Sequence, residues 1–277
     1  MKLIDISSLY SSVKEYSKQV QEYLYLLCCQ VDLLSVRYFL SRIPKKPCEA
    51  GLDEGCGSRA SCAPMLETYE DYIDELEKDA VQGGYGEFRL AREEFHNNTG
   101  VFEDGEPWFE IRMKMFMEWY LLDRIGHSGM TPLESYLMVN GASLDPNVFH
   151  QMEALSGTHR AVFCISKIEG RRLALEDLAA GGHFEATGIS PTVGLDREDI
   201  IEARLALFHG AMILCPTVVL HPKEARDDVR TIIARARAEK MPPRELTDHL
   251  DKMRLKLDRY SNVRIQHIYK YPGDTRL

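Results

Sequence analysis

Apolar residues recur at alternating three- and four-residue steps near the start of the chain: Ile6, Leu9, Val13, Tyr16, Val20, Tyr23, Leu24 and Leu27. That spacing keeps them on one face of a helix and predicts a helix over 6–42, continuing straight or after a bend through the apolar run at 31–40. Pro44 and Pro47 end it, since proline has no amide proton to donate and its ring clashes with the preceding turn. The stretch PCEAGLDEGCGSRASCAP at 47–64 has no period and is expected to be a loop. Helical spacing resumes at about 65–80, breaks at GGYG, and returns over 85–98. A helix over 107–125 follows, with Pro107 in its first turn and Glu110 near its positive end. Its stripe of Trp108, Ile111, Met115, Trp119 and Leu122, widened by Phe116 and Met117, predicts a central place in the core. Thr131 is a good N-cap for a helix at 132–139, and Asp145-Pro146 starts another that runs to about Ser156.

The period changes between 157 and 161. Short apolar runs at 161–168, 172–175, 182–187, 200–208 and 211–220, separated by turns such as Glu169-Gly170 and His209-Gly210, read as five strands. Pro216 belongs at an edge or a bulge, because it cannot donate to a ladder. Two helices follow at 223–239 and 243–259, split by Pro242-Pro243, and Val263 to Tyr269 are expected to add a last strand. The fold class is therefore α+β, with a helical N-terminal half, a small antiparallel sheet or partly open barrel, and a C-terminal helical pair. The segments are 1–64 (amphipathic helix and cysteine-rich loop), 65–159 (helical), 160–222 (β-module) and 223–277 (C-terminal helices and tail).

At 277 residues, 44% hydrophobic and 28% charged, the composition is that of a globular protein able to bury a core without disulfides. The net charge of −9 argues against broad binding to nucleic acid or anionic membranes. No run of about 18 apolar residues predicts membrane insertion. Asp5, Lys14 and Glu15 interrupt what a secretory leader would need, so a cytoplasmic location is expected, with the seven cysteines reduced, metal-bound or buried.

The cysteines are the first candidate for chemistry. Cys48, Cys56 and Cys62 share one Gly-rich loop, and Cys28 and Cys29 lie on the helix before it. Three loop thiolates plus one from the helical pair would complete a tetrahedral zinc site, with an iron–sulfur cluster less favoured. Adjacent cysteines point about 100° apart on a helix, so one of the pair would serve. The bland alternative is a set of ordinary thiols.

Glu93 and His96 share a helix face, the spacing used in di-iron bundles, with Glu110 and Glu118 as further candidates; no second E-x-x-H is present, and a solvated face is the favoured reading. Glu118, Asp123, Arg124 and His127 cluster around the end of the central helix. A carboxylate buried beside Trp119 would have a raised pKa and suit general acid–base work, but a salt-bridge and capping network is the commoner outcome, with Arg124 on the helix end and Asp123 paired to it. His150, His159, His183, His209 and His221 are scattered and read as surface or capping residues. No G-x-S-x-G elbow, P-loop or G-x-G-x-x-G is present. Basic residues from Arg226 to Arg259 exceed acidic ones, but the signs are interspersed, which favours helix-surface ion pairs over a nucleic-acid face.

The segment Phe116-Met-Glu-Trp-Tyr-Leu-Leu-Asp123, then Gly129-Met-Thr-Pro132, Glu176-Asp177-Leu178 and Glu198-Asp199-Ile-Ile-Glu-Ala-Arg204, resembles the pattern of a family of uncharacterised bacterial proteins. The likeness spans roughly 85–270 and implies an architecture but no activity. Some proteins with a similar helix carry a cysteine-rich SEC-C metal module, whose compact cysteine spacing is absent here. The expected function is a non-catalytic interaction or regulatory protein, with a protein partner or self-association through the N-terminal helix. Metal-assisted hydrolysis and nucleic-acid association through the basic C-terminal helices are the alternatives.

Overall fold

The computed structural model describes residues 66–82, 85–188, 194–260 and 262–274, all within one compact unit spanning 63–277. The predicted N-terminal helix and Cys28, Cys29, Cys48, Cys56 and Cys62 lie outside the described residues.

The chain first builds a helical layer: α1 (Tyr69–Gln82), α2 (Tyr85–Thr99), α3 (Phe109–Leu122), α4 (Pro132–Asn140) and α5 (Pro146–Leu155). Helix α3 is its axis and is buried on nearly all sides, from Phe109 to Leu122. Its aromatic stripe meets those of neighbouring segments: Phe116 packs edge-on to Phe88 and Phe95, and Trp119 lies 5.3 Å from Phe95. Such pairs add about 0.5–1.5 kcal/mol each beyond the area they bury. Thr131 caps α4 as the sequence predicts. Its hydroxyl accepts from the Glu134 amide at 3.2 Å, the Glu134 carboxylate accepts from the Thr131 amide at 2.7 Å, and Pro132 opens the helix. Asp145 caps α5 through the Asn147 amide. Replacing Thr131 by Ala should cost about 1 kcal/mol, read as a lower urea midpoint with an unchanged slope.

Five strands follow: β1 (His159–Glu169), β2 (Arg172–Asp177), β3 (His183–Gly188), β4 (Ile200–Phe208) and β5 (Ala211–Leu220). They close into a barrel in the order β1-β2-β3-β5-β4, and β4 returns to β1. All pairs are antiparallel except β3 with β5, which are parallel. The sheet is therefore mixed and fully closed, and its strand order is that of the OB-type Greek-key barrel. Pro216 sits at a bulge. Opposite the step from Ala203 to Leu205, β5 jumps from Val218 to Leu214, so Cys215, Pro216 and Thr217 leave the regular ladder. Phe163, Ile165, Leu173, Leu175, Ala186, Ile201, Ala203, Leu205 and Leu214 fill the barrel interior.

Strands β1 and β4 are buried on both faces, because helices cover their outer side. Helices α6 (Arg226–Ala238) and α7 (Pro243–Arg259) set Val229, Ile233, Leu246, Leu250 and Met253 against Val162, Cys164 and Ile200. The predicted tail strand is instead the short helix α8 (Ile265–Ile268), followed by Tyr269 and Tyr271 packed into this same second core. A closed barrel leaves no free edge for a sixth strand to join, so the apolar tail packs as side chains.

Candidate functional site

Strand β4 reads Ile-Ile-Glu-Ala-Arg-Leu, and its period of two sends Ile201, Ala203 and Leu205 inward and Glu202 and Arg204 outward. Outward here does not mean into solvent: both charged residues are about 2% exposed, sealed under helices α3 and α7. Arg160, opposite Arg204 on β1, faces the same way. A seam of buried ions therefore runs between the barrel wall and the helices.

One half of the seam centres on Arg204. Its guanidinium grips Asp123 at the end of α3 through two parallel bonds, one of 2.9 Å, and also donates to Thr158 Oγ1 at 2.7 Å. Its Nε lies 3.5 Å from Glu118, whose other oxygen accepts from Thr217 Oγ1 at 3.1 Å. Thr217 is available because the Pro216 bulge frees it from the ladder. Burial raises the Asp123 pKa, but Arg204, with Arg160 and Arg244 behind it, outweighs that and holds the carboxyl below its ordinary range. For Glu118 burial prevails over the help from Arg204 and Thr217, and its pKa is raised. Tyr69 and Cys215 lie alongside; burial together with the Glu118 charge raises both.

The other half joins β1, β4, α3 and α7. Arg160 donates from Nε to Glu202 Oε1 at 2.9 Å and from Nη1 to Asp248 at 2.8 Å. Arg112 pairs with Asp251 and also donates to the Asp251 carbonyl at 3.1 Å. Burial raises the pKa of Glu202, to about 8, against the opposing pull of Arg160. Asp251 is likewise raised by burial, against Arg112 and Arg160. Where the halves meet, Met115, Glu118, Arg160, Glu202, Arg204 and Thr217 line a space of about 10 Å³. That is the scale of a single water.

The sequence pointed to one end of this seam. Glu118 and Asp123 are in it. Arg124 is not Asp123's partner: it turns to α2 and donates to Glu94 at 2.8 Å and to Glu87. His127 is exposed, 3.3 Å from Glu87. Glu93 and His96 do not form a site. Glu93 pairs with Arg89 in solvent, while His96 packs on Phe102, and burial lowers its pKa to about 4. Glu110 is exposed on the far side of α3. Among the described residues no group of three or more His, Cys, Asp or Glu side chains is arranged to hold a metal ion. Of the histidines, His159 lies 2.7 Å from Asp177, His209 packs on Phe208, and His221 is buried against Tyr269 with its pKa lowered to about 3 by burial.

Arg112, Arg160, Glu202, Asp248 and Asp251 were missed. Their signal was present: a Glu and an Arg two apart inside an otherwise apolar strand, and Asp248 and Asp251 within the Leu246, Leu250, Met253 stripe of α7. Charges set in an apolar stripe call for opposite charges on the facing element. The basic C-terminal residues are largely taken up by neighbours: Arg235 by Glu239 and Asp274, Arg254 by Asp258, and Arg259 by Glu106.

Several residues of the segments at 116–132 and 176–204 have structural roles. Glu118, Asp123 and Arg204 meet in the seam. Gly129 takes the positive φ of 79° before the Thr131 cap, and Asp177 closes its turn by accepting from the Ala179 and Ala180 amides. Asp199 accepts from the Asp196 amide at the entrance to β4. No family model, curated protein or solved structure matches the chain. No helix among the described residues is long and apolar enough to cross a membrane.

Proposed function

We propose that the protein is a non-catalytic interaction or regulatory protein of the cytoplasm, in which the helices and barrel form a scaffold that presents a surface to a protein partner. The observation that carries this reading is the state of the best catalytic candidates. Glu118 and Asp123 are both held by Arg204, and the space beside them is about 10 Å³, far below the roughly 300 Å³ of a small-molecule site. The bacterial-family pattern supports the same reading, since its residues join helix to barrel and close turns.

The barrel face that no described helix covers suits a protein partner better than a nucleic acid. Barrels of this strand order commonly present strands β2 and β3 to their ligands. Here that face and the adjoining end of β1 carry Lys167, Glu169, Arg172, His183, Glu185 and Thr187, all exposed. The charges are mixed, and no Phe, Tyr or Trp among them provides a platform for base stacking. The region before residue 65 is assigned two tasks in this reading: self-association or docking through 6–42, and a structural zinc on Cys48, Cys56, Cys62 and one of Cys28 or Cys29.

Two measurements test it. Protein purified anaerobically should carry about one zinc per chain, lost when Cys48, Cys56 and Cys62 are replaced together; metal-free protein would remove the zinc. Deleting residues 1–42 should lower the mass seen by light scattering or abolish retention of a partner that the full chain holds. If neither changes, docking through that helix is wrong.

A further inference from the structure

In the half of the seam built on α7, the charges do not balance. Two guanidiniums, Arg112 and Arg160, face three carboxylates, Glu202, Asp248 and Asp251, and all but Arg160 and Asp248 are essentially without solvent contact. One negative charge is left over in a place where an unpaired ion is costly. The hydrogen bonds show where it falls. Glu202 receives both Arg160 bonds on Oε1, and Asp251 receives Arg112 on Oδ1. Glu202 Oε2 and Asp251 Oδ2 are buried, and among the described residues no donor reaches either. An ionised oxygen without a donor is unfavourable, whereas the same oxygen carrying a proton is neutral.

Other groups facing this cluster do not remove the imbalance. From α3 and β4 come Glu118, Asp123 and Arg204, themselves two carboxylates to one guanidinium. Arg244, at the rim over the Trp119 ring, lies on the Asp123 side. From the end of β5 and from the tail come His221 and Tyr269, hydrogen-bonded to each other, with Arg254 nearby but paired to Asp258.

We propose that this seam is a proton-operated clamp: the Glu202–Asp251 pair takes up one proton from solvent when α7 docks on the barrel, and loss of that proton loosens α7 from β1 and β4. No bond other than O–H forms or breaks, and water supplies and receives the proton. The consequence is a regulatory one, a joint between the two layers that weakens as pH rises. Both carboxyls titrate higher in the folded protein than the ordinary 4 or so of an unfolded chain. Across that interval these two carboxyls therefore hold more protons in the folded state than in the unfolded one. Their contribution to stability is full below about 4, falls as pH rises, and levels off above about 8, while the buried His96 and His221 give the opposite slope only below their ordinary value of about 6.5.

The test is hydrogen exchange of α7 in the full-length protein across about pH 6 to 8, corrected for intrinsic exchange rates, beside urea midpoints over the same range. One proton corresponds to about a tenfold fall in the α7 protection factor per pH unit. Glu202→Gln, which keeps the shape and carries no charge, should flatten most of that slope, and Asp251→Asn should act in the same direction. Infrared spectra of the wild type provide a readout that needs no variant. The carbonyl stretch of a protonated carboxyl should be present near neutral pH and vanish in mild alkali. Flat or rising wild-type stability over that range, a slope unchanged in Glu202→Gln, or no protonated-carboxyl band would each overturn the proposal.

Discussion

Arg204→Met should destabilise the protein by about 3–5 kcal/mol, the cost of removing one partner from a buried ion pair. Arg204 is the only guanidinium bonded to Asp123 among the described contacts, and it also lies against Glu118. Methionine matches much of its length and none of its charge, so the packing loss is small while the part-buried Asp123 and the Thr158 hydroxyl lose a donor and the buried Glu118 loses its charge partner. The size of the effect comes from stranding those groups, and not from any large net gain when the pair forms. It follows that Arg204→Met combined with Glu118→Leu and Asp123→Leu should recover most of the stability. Urea unfolding followed by tryptophan fluorescence measures both, since Trp108 and Trp119 flank or lie within α3. A loss below about 1 kcal/mol for the single variant would mean that solvent reaches the seam.

Phe163→Ala should cost as much, about 3–5 kcal/mol, by a different route. Phe163 is fully buried in the barrel interior, edge-on to Phe184 at 6.0 Å and near His159 at 5.8 Å. Truncation removes its transfer energy and leaves a cavity that a closed five-stranded barrel has little freedom to collapse. The same strand carries Arg160 and Val162 on its other face, against the helices. The variant should therefore lower the midpoint for α3 and α7 as much as for the strands. If the strands alone loosened, β1 would not be transmitting between the layers.

Periodicity in the sequence made the elements legible, and it did so best where one face is plainly apolar. The change of period near 159, the cap at Thr131 and the bulge at Pro216 all follow from local chemistry, and local chemistry is what a sequence displays. The tail failed because Val263 to Tyr269 reads as an apolar run whose conformation depends on whether a sheet edge is open to receive it. Closure of the barrel is a property of five strands together and has no signature in any one of them.

The site was half legible for a related reason. Glu118 and Asp123 stand out beside Trp119 on a strongly apolar helix. Asp123 was paired with Arg124 on sequence proximity, but consecutive helical residues point about 100° apart and do not face each other. Its partner arrives from a strand 81 positions further on. Arg160, Glu202 and Asp251 do not stand out in the sequence, because a charge on a small antiparallel sheet or on an amphipathic helix ordinarily faces solvent. Here α6 and α7 cover the second face of β1 and β4, so those charges are internal.

The seam and the second core join helices and barrel into one cooperative unit. Hydrogen exchange of the full-length protein along a urea series tests this most directly, with peptides from α3, α7 and each strand followed separately. Coincident midpoints for all of them are predicted, shifted together by Arg204→Met. A barrel that keeps its protection at urea concentrations where α3 and α7 have lost theirs would contradict it.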